Sequence, residues 1–184
     1  MSKREQLPPP RVLIKAMLAP LWLLCCTLLA PLAMADAVDV ARQKITLLLG
    51  QEPPSLNSIK ATDQVSFFIL GHTNEGLLRY DAQGQLVGGV ARDWKLDERS
   101  ATFWLRDDAR WSDGQPVTAH DFVYSWRRLL DPATGSRYAE FLYCLENGEA
   151  YNGGKIKDPA LLGVRALDDF TLEVRLKQHT PYFL

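Results

Sequence analysis

Trp111-Ser112-Asp113-Gly114-Gln115-Pro116-Val117-Thr118-Ala119-His120-Asp121-Phe122-Val123-Tyr124-Ser125-Trp126 is the stretch that decides the fold. It opens as a tight turn centred on Asp113-Gly114, where glycine supplies the conformation and aspartate caps it. Thr118 then starts a helix. Its hydroxyl is expected to accept from the Asp121 amide, and the Asp121 carboxylate suits the positive helix end. Phe122, Val123, Trp126, Leu129 and Leu130 follow at helical spacing as one apolar stripe. Arg127 and Arg128 stand near the end, and Asp131-Pro132 stops the helix.

Working upstream, Ala101 to Arg106 sets Thr102 and Trp104 against Phe103 and Leu105, a strand covered on both faces. Asp81-Ala82-Gln83-Gly84 has hairpin-turn chemistry after Gly76–Tyr80. Val65 to Leu70 is apolar, and Gln51 to Asp63 is a loop rich in Pro, Ser and Asn. Ile45 to Leu49, ended by Gly50, is expected to be a buried strand. Downstream, a second helix is expected from Tyr138 to Leu145, with Tyr138, Phe141, Leu142 and Leu145 on one face and Cys144 as a buried thiol. Val164–Ala166 and Thr171–Leu176 read as a hairpin, with Leu172, Val174 and Leu176 facing inward. Thr180-Pro181 has the chemistry of a helix start four residues before Leu184, as though the chain were cut short. The elements together give a mixed α/β fold.

The first 35 residues have another character. Lys3, Arg4, Arg11 and Lys15 precede an uncharged, Leu-rich run from Met17 to Leu32, and Ala33-Met34-Ala35 follows. This is the layout of a secretory signal peptide, expected to be cut before Asp36. Pro20 and Pro31 interrupt the run, which argues against a membrane anchor. Leu24 before Cys25, and Cys25 before Cys26, do not suit lipoprotein processing. The whole chain carries 21 basic and 22 acidic residues. Removing residues 1–35 takes away four basic residues and one acidic one, leaving 17 against 21. No basic field exists to attract nucleic acid. Cys144 is then the single cysteine, so no internal disulfide can form.

The order of motifs carries more than periodicity does. Pro54-Ser55-Leu56-Asn57-Ser58, Glu75-Gly76-Leu77, Ala91-Arg92-Asp93-Trp94, Phe103-Trp104-Leu105-Arg106, the opening stretch and Leu172-Glu173-Val174-Arg175-Leu176 follow one another. In this order they resemble solute-binding protein family 5, the oligopeptide- and dipeptide-binding proteins of ABC importers. The resemblance covers residues 45–184. It implies a periplasmic binding protein type II-like fold, of which this chain is the N-terminal part. Residues 1–35 would be the signal peptide, 36–74 the opening segment of the first lobe, and 75–184 most of an extra α/β domain. The second lobe, which supplies much of the ligand pocket and would decide between peptide, nickel, haem or oligosaccharide, is missing. The implied function is capture of peptides in the periplasm and their delivery to permease subunits at the inner membrane. The protein would work as a monomer, without catalysis or cofactor.

The resemblance also implies the site. Lys60-Ala61-Thr62-Asp63-Gln64 is similar in position to a loop that runs beside the bound peptide and pairs through its backbone. Thr62, Asp63 and Gln64 would be its ligand-binding residues, an ordinary surface loop being the other reading, and Tyr138 matches an aromatic position bordering the ligand. Core packing against Phe141 is the other role open to Tyr138. A secreted hydrolase built on Asp113, His120 and Asp121 has no nucleophile or paired-carboxylate pattern behind it. His72, His120 and His179 lie at no metal-ligand spacing. Trp94, Trp104, Trp111 and Trp126 are expected mostly in the core rather than on a sugar platform. A nonfunctional remnant is the remaining alternative.

Overall fold

The computed structural model describes residues 38–184. The expected signal peptide, its cleavage point and Cys25 and Cys26 lie outside the described residues. The chain divides into two units, Met1–Leu48 and Leu49–Leu184. In the first, β1 (Val38–Asp39) pairs antiparallel with β2 (Lys44–Ile45). The expected buried strand at 45–49 is not found. Only Ile45 pairs, and Leu48 is 98% exposed. Among the described residues only β1 pairs with this run, and only at Ile45.

The second unit is built round a four-stranded antiparallel sheet in the order β5 (Ala91–Leu96), β6 (Ser100–Leu105), β8 (Thr171–Arg175), β7 (Val164–Asp168). Two hairpins, far apart in sequence, meet along β6 and β8, with Phe103 opposite Leu172 and Ala101 opposite Val174. The expected alternation holds. Ala101, Phe103 and Leu105 are buried, while Thr102 and Trp104 are half-buried. Leu172, Val174 and Leu176 likewise face the core. Both outer strands carry a register irregularity, between Ala91 and Asp93 and between Ala166 and Asp168.

Helix α2 (Ala119–Leu130) lies over this sheet, after helix α1 (Gln64–Thr73) and the hairpin β3 (Leu78–Tyr80)–β4 (Leu86–Gly88). The β3–β4 turn forms as its sequence predicts. The Asp81 carboxylate accepts from the Gln83 and Gln85 amides, and Gly84 takes φ +74°. At the start of α2 the Asp121 carboxylate accepts both the Thr118 amide (2.7 Å) and the Thr118 hydroxyl (3.1 Å). The capping box expected here is formed, the Thr118 side chain accepting from the Asp121 amide, while its hydroxyl also donates to the carboxylate. A charged acceptor is the stronger partner for it. Ala119, Val123 and Leu130 are buried, while Phe122, Trp126 and Leu129 are half-buried.

The expected second helix is replaced by a 3₁₀ turn, Ala139–Leu142. The Phe141 amide bonds Tyr138 and the Tyr143 amide bonds Glu140, the three-residue spacing of the tighter helix. Its residues therefore leave the single α-helical face. Leu145 is buried but Phe141 is 70% exposed. Cys144 is half-buried rather than buried, and that burial pushes its thiol above the ordinary value. A short helix α3 (Gly148–Asn152) follows. Its Asn152 amide donates to the Leu130 carbonyl at the end of α2 and its carbonyl oxygen accepts from the Tyr143 hydroxyl. The tryptophans are also less buried than expected. Trp94, Trp104 and Trp126 are half-buried, and Trp111 is exposed on its turn. Thr180 is buried and accepts the Phe183 amide, a single turn at the chain end.

Candidate functional site

The segment that leads into α1 is shaped by short side-chain bonds. Asn57 closes a turn, its carbonyl accepting from the Lys60 and Ala61 amides and its side chain from the Ile59 amide. Ala61 is buried and anchors the segment, after which Thr62 comes to the surface. Asp63 is extended, at φ −120° and ψ 155°, and is the N-cap of α1. One carboxylate oxygen accepts the Ser66 amide at 2.8 Å and the other the Ser66 hydroxyl at 2.7 Å. These two bonds hold the Asp63 carboxyl below the usual carboxylate range, the amide bond contributing most. The Asp63 side chain is thus committed to its own helix.

Among the described residues, the amides of Thr62, Asp63 and Gln64 and the Thr62 carbonyl make no backbone–backbone hydrogen bond. Thr62 and Gln64 are exposed. Asp63 is extended and Gln64 is the first residue of α1, so these open backbone groups lie where the loop enters the helix.

Tyr138 arrives from a distant part of the sequence. Gly135, at φ +63°, ends a 3₁₀ turn (Pro132–Thr134) and turns the chain toward this segment. The Ser136 hydroxyl donates to the Ile59 carbonyl at 2.8 Å, a bond across 77 residues. Phe67, on the first turn of α1, lies 5.8 Å centroid to centroid from the Tyr138 ring. The fold therefore brings the 60–64 segment and Tyr138 into one neighbourhood. Tyr138 also stacks on Phe141 at 5.5 Å and 14°. That pair lies at the surface, where Tyr138 is half-buried, so the expected contact exists without being core packing. Sequence reasoning missed Phe67, Ser66 and Ser136. The Asp63-x-x-Ser66 spacing was the available signal for the helix start.

The residues considered for chemistry have local roles. Asp113 accepts the Gln115 amide within its turn, and Asp121 holds Thr118. His120 lies 3.5 Å from Asp169, His72 is bonded to the Phe68 carbonyl and His179 to that of Glu98. Among the described residues no three His, Cys, Asp or Glu are grouped to hold a metal. An apolar concavity of about 730 Å³ is lined by Leu77, Phe103, Phe122, Trp126, Phe141 and Phe183, and none of Thr62, Asp63, Gln64 and Tyr138 lines it.

The model of the bacterial extracellular solute-binding proteins, family 5 (middle region), matches residues 85–184. The chain belongs to this family. It is 40% identical over 171 residues to the periplasmic murein peptide-binding protein MppA of Escherichia coli, covering 87% of this chain and 32% of MppA. It is 43% identical over 145 residues to the periplasmic oligopeptide-binding protein OppA of Haemophilus influenzae, covering 77% and 27%. The structure of that OppA in complex with the peptide RPPGFSPFR superposes with a TM-score of 0.67 at 45% identity, over 73% of this chain and 27% of that one. The periplasmic binding protein fold expected from the motifs is thus found, and the family 5 chain described here spans about a third or less of the length of these relatives.

Proposed function

We propose that this chain forms one wall of a peptide-binding site in a periplasmic family 5 protein that serves an ABC importer. The open backbone at Thr62 and Asp63, where the loop enters α1 in the neighbourhood of the Tyr138 ring, carries the reading. An extended peptide can pair with such backbone as an added strand, whatever its sequence. The similarity to peptide-binding relatives supports the same ligand class. In this reading the protein is exported by residues 1–35, residues 36–74 begin the first lobe and 75–184 form most of the extra domain. It captures and releases peptides, performs no chemistry, works as a monomer and hands its ligand to permease subunits at the inner membrane.

The affinity of one wall is low. Each exposed hydrogen bond nets about 0.5–1.5 kcal/mol because water competes. A few of them barely offset the several kcal/mol lost in ordering a flexible peptide. The dissociation constant of this chain alone is expected to be at best on the order of millimolar, near 4 kcal/mol. Titration with short peptides, followed by amide NMR, should move the Thr62, Asp63 and Gln64 signals. Peptides that leave those three amides unmoved at tens of millimolar would refute the site. Micromolar binding would refute the one-wall account.

A further inference from the structure

Asparagine followed by glycine is prone to lose ammonia without an enzyme, because glycine has no side chain to keep its backbone nitrogen away from the asparagine side chain. Of the four asparagines in the chain, Asn147 and Asn152 are followed by glycine. They bracket α3, Asn147 as its N-cap and Asn152 as its last residue. The same chemistry thus meets two different settings within one short stretch.

Ring closure turns the peptide plane that follows the asparagine, so the glycine must move. Gly148 is buried, its amide donates to the Leu145 carbonyl at 3.1 Å, and a methyl group there would meet the Leu142 carbonyl. Moving it drags the start of α3 through packed backbone. Gly153 and Gly154 are exposed, and a methyl group on Gly154 would meet nothing within 4 Å. This end is held by the Gly153 amide on the Glu149 carbonyl (2.9 Å) and the Gly154 amide on that of Tyr151 (3.0 Å). Both bonds belong to the last turn of a five-residue helix, and an end of that kind opens locally far more easily than the core does. We propose that Asn152 is a site of spontaneous deamidation in the folded chain, and that the modification releases α3 from α2.

The step needs only water. The Gly153 nitrogen gives its proton to solvent and bonds to the carbonyl carbon of the Asn152 side chain. The bond from that carbon to the side-chain nitrogen breaks, and ammonia leaves. Water then opens the cyclic imide at one of its two carbonyls, which yields aspartate or isoaspartate. The consequence follows from what the side chain now holds. Its amide donates to the Leu130 carbonyl at 2.9 Å, one of the carbonyls that the end of α2 leaves without a partner inside the helix. Its oxygen accepts from the Tyr143 hydroxyl at 2.6 Å. Aspartate can still accept from Tyr143. It has no donor for Leu130, and it sets a negative charge against the negative end of α2. Isoaspartate also adds a carbon to the backbone where α3 ends. None of this depends on the peptide-binding reading.

The test is incubation of the purified chain at mildly alkaline pH, with and without urea. Tryptic peptides are then fragmented in a mass spectrometer to place the product at residue 147 or 152. In the folded chain the product should accumulate severalfold faster at Asn152 than at Asn147. In urea the two rates should converge, since the fold no longer separates the two pairs. Equal rates in the folded chain, a faster Asn147, or product at neither residue while urea yields both would each overturn the site. A preference for Asn152 that persists unchanged in urea overturns it too, because the fold would not be its cause. Asn152→Asp, which creates one of the two products directly, should speed hydrogen exchange across α3, and unchanged exchange there overturns its release from α2. The time course on the unsubstituted chain decides the site even if that variant folds poorly.

Discussion

Replacing Phe103 and Trp126 separately by alanine sets the sheet against the helix stripe as the source of stability. Phe103 lies on the inner strand β6, opposite Trp94 on one side and Leu172 on the other, and is 2% exposed. Its truncation leaves a cavity with backbone on both flanks, and such sites collapse poorly. A cost of about 3–5 kcal/mol is expected. Trp126 is larger but half-buried, and its ring meets Phe183 edge-on at 6.4 Å, beside the apolar concavity. Roughly half of its transfer energy is already absent in the folded state, and the open side leaves little cavity, so its cost should be about 1.5–2.5 kcal/mol. With a urea slope of about 1–3 kcal/mol per molar, Phe103→Ala should lower the midpoint about twice as far as Trp126→Ala. Urea unfolding followed by far-ultraviolet circular dichroism avoids relying on the tryptophan that is removed. Equal shifts would mean that Trp126 is core and that the concavity beside it is closed. No shift for Phe103→Ala would mean that β6 is not the centre of the sheet.

Asp63→Ala should speed hydrogen exchange at the Ser66 amide at neutral pH, whereas Asp63→Asn should keep most of the cap because its carbonyl oxygen can still accept. Since the Asp63 carboxyl titrates below its ordinary range, the stability it lends is complete above the ordinary carboxylate pKa. It is lost as pH falls through the lowered folded value, and Asp63→Asn should remove that acid-side dependence in exchange measured from pH 5 to pH 2. Gly163→Ala should destabilise by about 1–3 kcal/mol in thermal melts, because a methyl group there meets the Arg175 carbonyl and lies 2.9 Å from the Glu146 backbone nitrogen; an unchanged melting temperature would show that β7 can shift freely. Mass spectrometry of the exported chain should find Asp36 as its first residue, and a retained N-terminus or a lipid on Cys25 or Cys26 would refute the cleavage expected at Ala35.

What the sequence made legible was whatever is specified locally. The hairpin β7–β8 alternates with period two around Asp168-Asp169, and α2 has a stripe, a cap and a stop, so each element is defined by neighbours in the chain. Helix α1 has no stripe, because its apolar residues run together from Phe67 to Leu70, and its one clear marker is the bond between Asp63 and Ser66. The run at 45–49 is apolar, yet among the described residues only Ile45 is paired, so an apolar pattern did not by itself define a strand. The turn at Ala139–Leu142 could not be told from an α-helix by spacing, since Tyr138, Phe141 and Leu142 suit both. At the site, the resemblance to family 5 named Thr62, Asp63, Gln64 and Tyr138. Phe67 and Ser136 became visible only when the fold joined segments 77 residues apart.

The irregular outer strands of the sheet have a consequence for how such a protein survives among peptides. A regular outer strand offers a row of unpaired amides and carbonyls, and any extended chain can extend the sheet there, including another copy of the protein. Here β5 breaks register between Ala91 and Asp93 and displays Arg92, Asp93 and Lys95 to solvent. The opposite border, β7, breaks register between Ala166 and Asp168 and displays Arg165 and Asp168. Bulges and charge at both borders interrupt the hydrogen-bonding row and raise the cost of stacking copies side by side. Neither flank of the sheet therefore offers a regular row to which a further strand could add.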